Sequence, residues 1–252
     1  MSTHNRMKRY RSFLKDTIRK TIDFQQTDQH LGYPAPPLEK PYAQESRRID
    51  LVSSEGWKAL SDVSLTAALR GRRSHRSFQA TPLTLEELSF LLWATQGIQY
   101  VIDGETALRT VPSAGCRHAF ETYLCVLNVE GLEVGLYRYL PLEHQLLFES
   151  AVEQLREKLI VATFEQRFIG NAPVIFIWTV IPYRMEWRYS IAAHRVIALD
   201  AGHVCQNLYL ACSVVGAGTC AIAAYDQERM DELLGVDGED EFTMYLAPVG
   251  KV

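Results

Sequence analysis

Apolar and polar positions along this chain change period several times, and each change marks an element. Val63 to Arg70 carries helically spaced apolar residues up to Gly71, which predicts a short helix. In "PLTLEELSFLLWATQG", Thr84 stands as N-cap with Glu87 three positions on, the pattern of a capping box. Leu88, Leu91, Leu92 and Thr95 then share one helix face until Gly97. The runs "ETYLCVLNVE", "VGLYRYL" and "QLLFES" favour strands, and their short connections predict an antiparallel meander. "SAVEQLREKLIVATFEQ" reads as a helix opened by a Ser150/Glu153 box. "PVIFIWTVI" is continuously apolar and β-branched, as a central strand covered on both faces would be. Residues 189–215 read as one long helix, Asp226 to Leu234 as a short one, and "EFTMYLAPVG" as a final strand. Helices interleaved with antiparallel strands, without βαβ regularity, predict an α+β fold.

The long helix is apolar most of the way round, through Ile191, Val196, Leu199, Val204, Leu208, Leu210 and Cys212. Such a helix has to be covered on several sides, and in a domain of this size a subunit interface supplies the cover, so a homodimer is expected. Ahead of the domain, residues 6–24 read as a basic helix, followed by "LGYPAPPLEKPY" with four prolines between positions 34 and 41. Residues 1–60 are therefore assigned to an arm and residues 61–252 to the domain.

With 252 residues, 47% of them hydrophobic and a net charge of −4, the chain fits a globular protein with a large core. The acidic balance argues against wholesale binding to nucleic acid or to an anionic membrane. Five cysteines in no C-x-x-C pair, with no apolar segment behind the basic start, predict a reduced cytoplasmic setting. Cys205 and Cys212 lie seven apart on the long helix, a core spacing, and no disulfide is expected. His118, His194 and His203 show no metal-ligand spacing, so no metal is expected. Tyr137, Tyr139 and His144 fit cross-strand packing as well as a pocket lining, and Met185, Trp187 and Tyr189 cluster where a substrate lid would sit.

Positive charge concentrates in "LRGRRSHRSF". Between Gly71 and Pro82 the backbone is expected to be extended, which places Arg72, Ser74 and Arg76 on one side and Arg73 and His75 on the other. Two guanidinium forks and a hydroxyl on one edge suit a phosphate. A solvated basic turn paired with surface carboxylates fits the spacing slightly better, because R-R-S-x-R is a weak pattern. "GAGTCAIAAY" and "TVPSAGCRH" are small-residue loops against which a planar ligand can lie, or which close packing alone explains. Neither a dinucleotide fingerprint nor a Walker sequence is present.

Taken in order, "RRSHRSF", "LSFLLWATQG", "RTVPSAGCRHAFETYL", "GLYRYLPLEH", "LDAGHVCQNLYLA" and "GAGTCAIAAYD" resemble the nitroreductase fold family, and within it the SagB-type dehydrogenase branch. The resemblance implies an α+β homodimer with FMN at the subunit interface. By position it implies that Arg72, Arg73, Ser74 and Arg76 grip the phosphate and ribityl chain. Pro112, Ser113, Ala114 and Gly115 match a loop reaching the flavin from the other subunit, and Gln166 a polar residue at the pyrimidine edge. Ala223 and Ala224 match a pair whose N–H groups meet flavin N5 and O4, and Lys251 a basic residue near the phosphate. Tyr189 and Arg188 fall at the catalytic pair.

Three departures stand out: an Ala223-Ala224 pair in place of glycines, a single C-terminal lysine, and Arg188-Tyr189 where azoline-oxidising relatives look to have Lys-Tyr. Arginine does not release a proton as lysine does, which argues against oxidation of azolines to azoles in modified peptides. The resulting expectation is an FMN-dependent oxidoreductase moving hydride between flavin and a small organic substrate, with NAD(P)H as a candidate donor. An azoline dehydrogenase and a non-catalytic flavin-binding protein are the alternatives.

Overall fold

A computed structural model describes residues 7–8, 10–58 and 60–252. At its centre lies β7 (Val174–Val180), every residue of which is buried, flanked by β4 (Phe120–Val126) and β9 (Phe242–Lys251). The sheet continues through β5 (Gly135–Leu140), β6 (Gln145–Ser150) and β1 (Arg48–Asp50) on one side and ends in β8 (Ala217–Thr219) on the other. Its order is β1-β6-β5-β4-β7-β9-β8, and all neighbours are antiparallel. The meander, the central strand and the closing strand thus form as the pattern predicts, and the α+β class holds.

Alternation along β4 and β7 divides the interior into two cores. Leu124, Val126, Phe176 and Trp178 face α2 (Leu85–Gln96) and α5 (Ala193–Val214). Tyr123, Cys125, Ile175 and Ile177 face α3 (Leu155–Ala162) and α6 (Gln227–Leu234). The expected Thr84/Glu87 box is closed in both directions, and Asp226 caps α6 by accepting from Arg229 N–H. The short helix α1 (Leu65–Gly71) is capped by Ser64, whose hydroxyl oxygen accepts from Ala67 N–H.

Three expectations are corrected. The Ser150/Glu153 box does not form, because Ser150 is taken into β6, and α3 instead starts after Gln154 at φ 54°. The helix expected over 189–215 starts only at Ala193: Tyr189 closes a separate helix, α4 (Tyr183–Tyr189), and Ser190, at a φ of 49°, cannot continue a right-handed helix. Residues 6–24 do not make a single helix. Of that span, Met7, Lys8 and Tyr10 are helical and the rest of the described part forms short 3₁₀ turns at Arg11–Leu14, Asp16–Thr21 and Phe24–Gln26, while Arg6 and Arg9 lie outside the described residues. Tyr10, Phe13 and Leu14 stay exposed, so the segment lacks the buried apolar stripe that would stabilise a short helix. A hairpin that the pattern did not reveal, β2 (Ile98–Asp103) with β3 (Thr106–Arg109), stands apart from the main sheet.

Further along, the arm is stitched to the domain. β1 pairs with β6, and Lys40 donates through N–H to Glu121 (2.9 Å) and through Nζ to Glu241 (2.5 Å). Nearer its start, Gln29 N–H donates to the Trp187 carbonyl (3.0 Å) and Trp187 Nε1 to the Tyr33 carbonyl (3.0 Å). No helix among the described residues is long and apolar enough to cross a membrane.

Candidate functional site

The arginine-rich segment runs extended beside β8. Ser74 bridges Thr219 in parallel, His75 N–H donates to the Thr219 carbonyl (2.9 Å) and Gln79 N–H to the Lys251 carbonyl (2.9 Å). Side chains alternate as extended backbone requires. Ser74 Oγ hydrogen-bonds the Tyr209 hydroxyl (2.9 Å) and the Arg72 guanidinium lies 5.4 Å from the Tyr209 ring centre. His75 turns the other way onto Gly218, where a methyl group would come within 2.6 Å of its ring. Burial, then the Arg73 charge, holds the His75 imidazole below its usual range. Arg72, Arg73 and Arg76 are exposed, and none of them meets a carboxylate among the described residues. These three cations, Arg72 on the Tyr209 side and Arg73 near His75 on the other, thus have no counter-ion among the described residues.

Tyr209 joins this edge to the second small-residue loop, since its hydroxyl also accepts from Ala221 N–H (2.9 Å). Ile222 then pairs with Leu246 in both directions, which leaves Ala223 and Ala224 at the surface. The amides of Ala223 and Ala224 have no acceptor among the described residues. Gln166 Nε2 donates to the Ala224 carbonyl (2.9 Å) and to the Thr163 carbonyl (2.9 Å), fixing the loop from α3's side. Arg72, Ser74, Ala223, Ala224 and Gln166 therefore line one continuous edge: a guanidinium without a carboxylate partner at one end, two free N–H donors at the other.

The remaining candidates gather elsewhere. Ala114 N–H donates to Asp200 Oδ2 (3.2 Å), Ser113 donates its hydroxyl to the same carboxylate, and Ser113 Oγ accepts from His118 N–H (3.0 Å). Burial raises the Asp200 carboxyl above its ordinary value despite these donors. Gly115, at φ 60°, lies directly against α4: a methyl group there would fall 2.6 Å from the Tyr189 hydroxyl and 2.9 Å from Arg188 Nε. The loop Pro112–Gly115 and the pair Arg188–Tyr189 are thus one cluster. Asp200 and Tyr209, which mark the two clusters, stand nine residues apart on α5, or about 14 Å at roughly 1.5 Å per residue.

Lys251 does not join the arginine edge. Its ammonium is held by Glu87 and by the Val215 carbonyl (2.6 Å) on the inner side of β9. His194 pairs with Glu186 (2.6 Å), and His203 lies 3.7 Å from Asp200. Tyr139 hydrogen-bonds His144 Nδ1 (2.8 Å), and His144 Nε2 meets the Val52 carbonyl (3.1 Å), so both belong to packing. All five cysteines are free thiols. A cleft of about 670 Å³ between α3 and α6, lined by Glu153, Glu157, Lys158, Arg229 and Glu232, lies away from both clusters.

With this geometry in view, residues 69–251 match the model of the nitroreductase family. The chain belongs to that family. A nitroreductase homologue of Methanocaldococcus jannaschii is 33% identical over 192 residues, covering 76% of this chain and 93% of its own length. The trifolitoxin-processing protein TfxB of Rhizobium leguminosarum bv. trifolii is 26% identical over 230 residues, covering 86% of this chain; those residues span 60% of the relative. Among solved structures, a nitroreductase-family protein of Ralstonia eutropha superposes with a TM-score of 0.67 at 25% identity, covering 87% of this chain and 98% of that one. Membership places the chain among oxidoreductases.

Two residues that organise the site escaped the sequence reading. Tyr209 links Arg72, Ser74 and Ala221, and Asp200 holds the Pro112–Gly115 loop. Asp200 carries a signal in retrospect: it is a carboxylate inside "VIALDAGHV", where a buried helix face needs a reason for an acid.

Proposed function

We propose that this family member is an FMN-dependent oxidoreductase acting as a homodimer on a small organic substrate, with NAD(P)H as electron donor, in a reducing cytoplasmic setting. The carrying observation is the edge that joins the Arg72 guanidinium, without a carboxylate partner among the described residues, to the free amides of Ala223 and Ala224. A phosphate-bearing flat cofactor matches both ends. Arg72, Arg73, Ser74 and Arg76 would hold the phosphate by charge-assisted bonds. Gln166 and the Ala223 and Ala224 amides would meet the ring, and donors there favour the electron-rich reduced form. Bound FMN supplies the hydride chemistry, and the protein contributes orientation and charge.

The separation between clusters along α5 supports a site shared between two chains, in which the Pro112–Gly115 loop of one copy faces the arginine edge of the other. Leu199 on α5 is 52% exposed and Tyr100 on β2 62%, apolar surface that a second copy would cover. Tyr189 is the proton donor or acceptor and Arg188 an anchor that stays charged.

One second reading, membership of the SagB-type branch with oxidation of azolines in a modified peptide, is compatible with the similarity to TfxB, a trifolitoxin-processing protein. Arg188 weighs against it, because its guanidinium cannot act as the base. The test begins with the purified protein, which is expected to be yellow, to release stoichiometric FMN on denaturation and to be bleached by NADH or NADPH under argon. A colourless protein that FMN does not reconstitute overturns the reading. FMN without bleaching by either donor leaves a flavin-binding protein, and turnover of an azoline peptide would establish the second reading.

A further inference from the structure

Gly115, Arg188 and Tyr189 form a notch whose charge is unusual. Arg188 packs its stem on Gly115 and sets its guanidinium 5.7 Å from the Tyr189 ring centre, yet it makes no hydrogen bond or ion pair with any described residue. Behind it stands a second guanidinium. Arg117 is buried; its Nε donates to the Gly115 carbonyl (3.2 Å), its Nη2 to the Glu105 carbonyl (3.0 Å) and Thr106 Oγ1 (3.2 Å), and its head lies 5.1 Å from the Trp187 ring centre.

All of Arg117's protein acceptors are neutral oxygens. Burial, then repulsion from Arg188, lowers its affinity for its proton, against a weaker pull from Cys116, Asp103 and Glu105. From the arm, Arg19 (paired with Asp16 at 2.7 Å) lies within electrostatic range of Tyr189. Both guanidinium groups reach Gly115, and neither is paired with a carboxylate among the described residues, an arrangement that an anion joining them would relieve. The Tyr189 hydroxyl, also without a hydrogen-bond partner among the described residues, adds a neutral donor on the same side.

We propose that this notch is a carboxylate subsite: the substrate is a flat organic acid whose carboxylate is taken by Arg188 and the Tyr189 hydroxyl. Arg117 is a positioning residue, tethered to the loop carbonyl so that its charge sustains the notch while its donors are spent on backbone and Thr106. Gly115 is required because a side chain there would strike the Tyr189 hydroxyl and Arg188 Nε and displace both from the position in which they meet the carboxylate. The proposal rests on the flavin-oxidoreductase reading for its meaning, since the loop that forms the notch is the one assigned to face the flavin of a second copy.

The test uses the protein as purified, with benzoate and its neutral isostere benzamide as probes, followed by isothermal titration calorimetry. Benzoate is expected to bind the wild type more tightly than benzamide, with an affinity that falls as salt rises. Arg188→Gln should weaken benzoate by roughly tenfold or more, the worth of a lost charge-assisted bond, and leave benzamide unchanged. Arg188→Lys should restore part of the loss, which a purely structural role would not. Benzoate that binds no better than benzamide, that fails to bind, or that is held equally by Arg188→Gln overturns the proposal. FMN content, measured on the same samples, separates the two claims. Flavin with no charge preference removes only the subsite, whereas a charge preference in a protein that cannot take up FMN removes only the oxidoreductase reading.

Discussion

Gly115 lies so close to Tyr189 that a single methyl group on it would sit 2.6 Å from the phenol oxygen. The backbone there is left-handed at φ 60°, so any other residue meets both local strain and a collision. Gly115→Ala is expected to cost about 1–2 kcal/mol of stability from the conformation alone. It should also lower kcat/KM by roughly tenfold or more, because displaced Tyr189 and Arg188 no longer hold the substrate in register. Tyr189→Phe removes the oxygen the methyl strikes; alone it should slow turnover while FMN stays bound. Combined with Gly115→Ala it should recover part of the lost stability, a positive coupling that thermal melts of the four proteins would show. A Gly115→Ala protein that melts and turns over like the wild type would mean the contact is loose.

The arginine edge makes a separate prediction. Arg72→Ala combined with Arg76→Ala should leave a folded protein with little or no FMN, because both side chains are exposed and neither carries a protein ion pair among the described residues. Flavin absorbance after gel filtration checks content, and far-ultraviolet circular dichroism checks the fold. Stoichiometric FMN in that variant would remove the phosphate assignment. Lys251→Ala should behave in the opposite way, costing stability with little effect on flavin, since its ammonium is committed to Glu87 and Val215.

How far the sequence could be read depends on whether each signal was local. β7 was legible because a strand buried on both faces must be apolar throughout, and the Thr84 box was legible because both halves of it lie within one turn. The Ser150/Glu153 box had the same local form and failed, because pairing of Ser150 with Leu136 across β5 and β6 took the residue into the sheet. The break at Ser190 is set by how α4 and α5 pack, and the apolar period runs through it without a mark. The β2–β3 hairpin stays hidden for the converse reason: Tyr100, Val101 and Ile102 are exposed, so no one-sided burial imprints a period of two. At the site, extended backbone alone placed Arg72 with Ser74 and opposite His75. That Gly115 would meet Tyr189, 74 positions later in the chain, required the fold.

Acid stability should report on His118. This side chain is buried below the Pro112–Gly115 loop with Nε2 unpartnered, and burial, then Arg109, Arg117 and Arg184, pushes its pKa down to about 3, while a hydrogen bond to the Ala107 carbonyl opposes the shift. In the unfolded chain the same group titrates near about 6.5. Between those values the unfolded chain takes up a proton that the folded chain refuses. Stability is therefore intact above the unfolded pKa and falls as pH drops toward the folded one, by about 1.4 kcal/mol per pH unit. His118→Gln should flatten that slope relative to wild type, seen as a smaller shift in urea midpoint between about pH 6.5 and about pH 5. Parallel losses in the two proteins would assign the acid limb to other groups.

Glu121 is where the arm and the sheet are locked together, and its loss should be the most damaging single change outside the site. Its carboxylate is 3% exposed and is met by Arg184 Nη2 (2.5 Å), Arg138 Nη1 (3.5 Å) and the Lys40 amide (2.9 Å). Burial pushes its pKa up, but Arg184, Arg138 and Arg109 together hold it below the usual carboxylate range. Arg138 in turn donates to the Lys40 carbonyl (2.8 Å) and the Pro41 carbonyl (3.3 Å), so the same ion carries the arm's backbone. Glu121→Gln keeps the shape but leaves the buried Arg184 guanidinium without its counter-charge, while Arg138 keeps Glu149 (2.8 Å); a buried pair broken from one side typically costs about 3–5 kcal/mol. A lower urea midpoint is expected, together with faster proteolysis between residues 24 and 47, because the arm's anchor weakens before the core does. A Glu121→Leu/Arg184→Met double variant should recover much of the loss, since removing both partners avoids the stranded charge. If Glu121→Gln unfolds at the wild-type midpoint with the arm still protected, the arm is held by its strand pairing and apolar contacts, and the buried ions are incidental to it.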